Sequence, residues 1–192
     1  MKPYILIIAL IFASLIIVYY NSKPKKSAET VTFSGTEEKK VNTIPEQTTN
    51  KATMTSNDAK APDFEAVNLM TGEKFRLSDY KGKVIILDFW ATWCPPCKAE
   101  IPFFIELVNQ YGNQGLVIIG AALDDPARVK DFYEKNKMNY PVFMASQQLV
   151  FNYGGIQGIP TTFIIDKDGY IKNTFVGYRT RQVFEEAFQN NK

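Results

Sequence analysis

The sequence predicts an α/β fold, a mixed central sheet flanked by helices, preceded by an N-terminal transmembrane helix. Three observations carry that prediction. Residues 4–20, YILIIALIFASLIIVYY, form an uncharged apolar run. KVIILDFW (83–90) and GLVIIGAAL (115–123) are continuous apolar runs of strand length that alternate with segments of helical period. TTFIID (161–166) and YIKNTFVG (170–177) flank the turn DKDG and read as an antiparallel hairpin.

The first element is the apolar run, which is near the lower length limit for a membrane-spanning helix and carries tyrosines at both ends, where amphipathic rings favour the interface. A cleaved signal peptide is the main rival, but such peptides end in small residues, and VYYNSKPKK offers bulky tyrosines instead. A buried core helix is a third reading, disfavoured by the long polar tract that follows. The expected anchor is residues 1–22, touching the lipid bilayer through residues 4–20. Lys2 opposes Lys23, Lys25 and Lys26, so lysine counts do not place the N-terminus inside. Residues 23–59 are rich in Ser, Thr, Asn, Lys and Glu, with Phe33 the only aromatic, and read as a flexible polar linker. Residues 60–192 then form the folded domain. They hold 15 basic and 15 acidic residues, a net of zero, which lacks the basic footprint of a nucleic-acid binder.

Within the domain, residues 83–90 read as a central strand covered on both faces. A helix is expected from Pro95 to about Tyr111, with Ile101, Phe104, Ile105, Val108 and Tyr111 at helical spacing and a kink at Pro102. Residues 115–123 give a second buried strand. Pro126 to about Lys137 gives a second helix, with Val129, Phe132 and Tyr133 inward and Asp124 or Asp125 as cap. After the hairpin, a last helix from about Thr180 to Asn190 buries Val183, Phe184, Ala187 and Phe188.

The only two cysteines in the chain, Cys94 and Cys97, stand three positions apart in FWATWCPPCKAEIP (89–102). Cys94 falls at the cap of the helix that opens at Pro95, and Cys97 nearly one turn later, a spacing that allows a disulfide able to open and close. The positive end of the helix dipole favours a thiolate at Cys94, which makes it the attacking nucleophile and Cys97 the resolving thiol. Pro95 and Pro96 have no N–H, so the first amide able to reach the Cys94 sulfur is that of Cys97. A modestly lowered thiol pKa follows, and with it a reductant rather than an oxidant. Half a zinc site would need further ligands, and the chain has no other cysteine and no histidine. A permanent structural disulfide across so short a loop would constrain the unfolded chain little.

ILDFWATWCPPCKAEIP together with GIPTTFIIDKDG resembles the thioredoxin superfamily, and APDFEAVNLMTGEKFRLSDYKGK before them resembles its membrane-anchored TlpA and ResA-like branch. The likeness spans about residues 61–190. It implies a thioredoxin-like fold and a dithiol site at Cys94 and Cys97. It also implies the reduction of protein disulfides outside the cytoplasm, including the haem-binding thiols of apocytochrome c. Pro160 matches the family's cis-proline, which turns the backbone at Ile159 toward a substrate strand. Asp88 matches an acid whose burial would raise its pKa and let it exchange a proton with Cys97; a carboxylate paired with a lysine is its alternative. Glu100 matches the acid of CxxCxxE, against the alternative of a solvated helix residue. Trp93 would border a substrate groove with Pro95, Pro96, Ile159, Pro160 and Gly177, while Trp90 reads as core. Asp88 departs from ResA-like proteins, which can carry a neutral residue there.

The expected partners are disulfide-containing proteins outside the cytoplasm and, since no flavin or nicotinamide motif is present, a membrane protein that donates electrons. No cofactor or metal is expected. The rival functions are a thiol peroxidase, for which Thr92 is adjacent but the spacing is wrong, and a binding protein or chaperone using the same groove without turnover. The Gly-rich YGGIQG (153–158) lacks the lysine of a phosphate loop and reads as a loop presenting Pro160.

Overall fold

In the computed structural model the described residues are 59–192. The expected anchor and the linker up to residue 58 lie outside them. Among the described residues no helix is long and apolar enough to cross a membrane.

The centre is a five-stranded sheet in the order β5-β4-β3-β6-β7, where β3 is Val84–Trp90, β4 Leu116–Ala122, β5 Val142–Met144, β6 Thr161–Ile165 and β7 Ile171–Val176. β3 pairs in parallel with β4, and β4 with β5, while β6 runs antiparallel to both β3 and β7. All seven residues of β3 are buried, as its unbroken apolar run requires of a strand covered on both faces. The hairpin turn is closed by Asp166, whose Oδ1 accepts the amides of Asp168 and Tyr170 at 3.0 and 2.9 Å.

Alternation along β3 sorts its side chains. Val84, Ile86 and Trp90 face helix α1 (Pro95–Tyr111) and helix α4 (Arg181–Asn191), packing with Ile101, Phe104, Leu107, Phe184 and Phe188. Ile85, Leu87 and Phe89 face the other way, toward Phe64, Phe75 and Tyr153. Each such large apolar side chain contributes about 1.5–3 kcal/mol when fully buried. Helix α2 (Pro126–Lys135) adds Val129 to the first core. It ends two residues short of the expected Lys137, which has a positive φ of 51°. Helix α1 continues through Pro102, which is exposed within it, and its buried stripe is Cys97, Glu100, Ile101, Phe104, Leu107 and Tyr111. Ile105 and Val108, expected inward, are only half-buried at its edge.

Four elements were not expected from residue pattern: the antiparallel pair β1 (Glu65–Val67) and β2 (Lys74–Arg76), strand β5, and helix α3 (Gln147–Asn152). All are short. The β1–β2 pair and α3 close the second face of the sheet, with Phe64 stacked on Phe143 at 5.1 Å between ring centres.

Candidate active site

The site grows from the junction where β3 ends and α1 begins. Cys94 is the helix cap, in extended backbone, and Pro95 and Pro96 open the helix. Its Sγ accepts the Cys97 amide at 3.2 Å, the one first-turn amide the two prolines leave within reach. The two cysteines are joined as a disulfide with Cα atoms 5.3 Å apart. Cys97 is fully buried, and Cys94 is nearly so at 3% exposure. Trp93, just before them, stands 61% exposed, whereas Trp90 is core.

Across from this junction the Ile159–Pro160 peptide is cis. The Ile159 carbonyl oxygen lies 3.7 Å from the Cys94 sulfur. The Pro160 carbonyl is held by the Gly177 amide at 2.8 Å, and Gly177 has φ +82°, a conformation that favours glycine. Of the expected groove residues, Trp93, Pro95 and Pro96 are exposed and Ile159 and Gly177 half-buried, and the structure joins Ile159 to Cys94 and Gly177 to Pro160 through these two contacts.

Two acids are buried on the same side of the sheet as Cys97, within electrostatic reach of each other. Asp88 is on the α1 side of β3, 2% exposed, and accepts a hydrogen bond from the Thr162 hydroxyl at 2.9 Å. Its neighbour is therefore a hydroxyl from the adjoining strand rather than a lysine. Glu100 is one helical turn beyond Cys97 and fully buried, which overturns the alternative of a solvated residue. One of its oxygens accepts the Arg179 amide at 2.5 Å, and the other is buried without a hydrogen-bond partner among the described residues. Burial pushes the Asp88 carboxyl up to about 8; the nearby Glu100 adds to this and the Thr162 bond opposes it. Burial also pushes Glu100 up to about 7, against the bond from the Arg179 amide and the Arg179 charge. Tyr140, buried beside both, is raised well above its ordinary value by burial and then by Asp88, Tyr133 and Glu100.

This arrangement can do dithiol–disulfide chemistry. The Cys94 sulfur stands at a helix N-terminus against the Ile159 carbonyl, and two buried acids raised toward neutrality share its side of the sheet, Glu100 one turn beyond Cys97 and Asp88 on β3. Thr162 and Arg179 were missed by sequence reading, because their contributions depend on the Asp88–Thr162 register and on a loop carrying an amide back to α1. Asp124 was singled out only as a possible cap; it binds Thr92 instead, and Asp125 caps α2 through the Ala127 and Arg128 amides. Among the described residues no cluster of acids or cysteines could hold a metal ion.

The AhpC/TSA family model matches residues 58–174. The chain is 37% identical over 133 residues to the thiol-disulfide oxidoreductase ResA of Geobacillus thermodenitrificans, a match covering 69% of this chain and 76% of the relative. A solved thiol:disulfide interchange protein of the thioredoxin family from Chlorobium tepidum superposes with a TM-score of 0.65 at 33% identity, covering 74% of this chain and 99% of that one. StoA from Bacillus subtilis superposes with a TM-score of 0.57 at 30% identity, covering 66% and 96%.

Proposed function

This chain belongs to the AhpC/TSA family and is a thiol-disulfide oxidoreductase of thioredoxin-like fold, and on that premise we propose that it is a membrane-anchored reductant of protein disulfides outside the cytoplasm. The observation that carries the reductant reading is the cap of α1. The Cys94 sulfur receives a single helix amide, from Cys97, and two prolines remove the others, so its thiolate is stabilised only modestly.

Cys94 as thiolate attacks a substrate disulfide, forming a mixed disulfide and releasing one substrate thiolate. Cys97 then attacks the Cys94 sulfur; its proton passes to Asp88 or Glu100, the Cys94–Cys97 bond forms, and the second substrate thiolate leaves and takes a proton from solvent. The substrate is reduced by two electrons and the dithiol oxidised by two. Trp93, Pro95, Pro96, Ile159, Pro160 and Gly177 hold the substrate segment beside the sulfur. Residues 4–20 anchor the chain, residues 23–59 tether the domain, and the electrons that reopen the disulfide come from a membrane donor protein. Apocytochrome c, with its paired haem-binding thiols, is the substrate that the family likeness favours.

The thiol-peroxidase alternative is weakened because the Thr92 hydroxyl is spent on Asp124 rather than offered to a peroxide. The test is Cys97→Ser in the full chain: this variant accumulates mixed disulfides with extracytoplasmic proteins through Cys94. A variant that traps none, or activity that survives Cys94→Ser, would defeat the proposal in favour of binding without turnover.

A further inference from the structure

Residues Ala91–Cys94 form the link between β3 and α1; Ala91 and Cys94 at its ends are buried in the core, and Thr92 and Trp93 between them are not. The Leu123 amide binds the Trp90 carbonyl at 2.8 Å where the link starts, and the Cys94 amide closes back on Ala91 at 3.2 Å. Pro95 and Pro96 offer no amide, and the Trp93 side chain stands in solvent. Besides the Cys94 sulfur, which reaches Cys97 and the Ile159 carbonyl, the link is attached to another element through Asp124, two residues past the end of β4. Its Oδ2 accepts the Thr92 amide at 3.0 Å and also the Thr92 hydroxyl, while Oδ1 accepts the Asp125 amide at 2.7 Å. Asp125 alone caps α2, so Asp124 is free of that duty.

We infer that Asp124 is a positioning residue for the exchange reaction: its carboxylate clamps Thr92 and keeps the Trp93–Cys94 link in place when the Cys94–Cys97 bond opens. In the oxidised protein the disulfide ties Cys94 to the first turn of α1. Reduction removes that tie, and the reduced state is the one that attacks. The clamp then holds the Cys94 sulfur against the Ile159 carbonyl and the Cys97 amide. Bonds to a carboxylate are roughly twice as strong as neutral ones. Burial works against the Asp124 charge, yet the Thr92 and Asp125 donors outweigh it and hold the carboxyl below its usual range, so the clamp stays charged at neutral pH. The inference rests on the reading of Cys94 as the nucleophile.

The test uses the full chain carrying Cys97→Ser, reduced, with glutathione disulfide as probe. The Cys94 thiolate attacks one glutathione sulfur, forms a mixed disulfide and releases glutathione thiolate, followed by mass. The rate is read across pH, its plateau reporting geometry and its midpoint reporting charge. Asp124→Ala is expected to lower the plateau at least fivefold. Asp124→Asn keeps one oxygen for Thr92, loses the charge, and is expected to recover most of that loss. Thr92→Val, which conserves volume and leaves the Thr92 amide bond, is expected to lose about half as much on a logarithmic scale. A plateau unchanged in Asp124→Ala and Thr92→Val, or an Asp124→Asn plateau as low as that of Asp124→Ala, would overturn the clamp. A Cys97→Ser parent that forms no adduct would overturn the assignment of Cys94 and the clamp with it.

Discussion

Asp88→Asn isolates the cost of keeping an acid inside the core. The carboxyl is raised from its ordinary 3.8 to about 8 by burial and by Glu100, so between those values the folded state binds more protons than the unfolded chain. The sign follows: stability attached to this group is complete below pH 4 and is lost as pH rises toward 8. Each pH unit in that window costs about 1.4 kcal/mol, so from pH 5 to 7 the wild-type chain loses about 3 kcal/mol through Asp88 alone. Asparagine accepts the Thr162 hydroxyl as the carboxyl does but does not ionise. At roughly 3 °C per kcal/mol for a domain of this size, its melting temperature should rise by about 8 °C relative to wild type on going from pH 5 to pH 7. The assay is thermal unfolding of the full chain, oxidised, in buffers matched for ionic strength. An equal difference between variant and wild type at both pH values would refute the argument, since it would mean that Asp88 is ionised throughout or titrates identically in both states.

Glu100→Gln keeps an oxygen for the Arg179 amide but removes the second acid; resolution of the mixed disulfide should slow by about tenfold and its pH midpoint should move, as read by single-turnover release of substrate. Gly120 lies under Trp90, where an added Cβ would meet Nε1 at 2.9 Å and Val142 Cγ2 at 3.2 Å, so Gly120→Ala should cost about 1–3 kcal/mol in urea unfolding without changing the thiol pKa. Trp93→Ala should raise KM for a protein disulfide severalfold and leave the unfolding free energy within about 0.5 kcal/mol, because the ring is largely in solvent.

The elements legible in the sequence are those whose pattern is long. The β3 run of apolar residues, the α1 stripe through Phe104 and the DKDG hairpin each announce themselves by period or turn chemistry, and the Cys-Pro-Pro-Cys block announces the cap. The β1–β2 pair, β5 and α3 span three to six residues each, too few for a period, and are stabilised by aromatic contacts such as Phe64 on Phe143 that no local pattern encodes. At the site, the cysteines, Asp88, Glu100 and Pro160 could be named from their spacing and family likeness. Thr162 and Arg179 could not, because their roles are fixed by strand register and by the path of the loop after Gly177. Asp124 and Asp125 show the limit most plainly. Two adjacent acids before a helix proline are equivalent as letters, and only the fold assigns one to the cap and the other to Thr92.

The central claim, that this dithiol is a reductant, is tested most directly by the midpoint potential of the Cys94–Cys97 pair in the full chain, equilibrated against dithiothreitol and glutathione mixtures. A single-amide cap followed by two prolines predicts a value near or below about −270 mV, and a value above about −180 mV would make the protein an oxidant or isomerase and contradict the account.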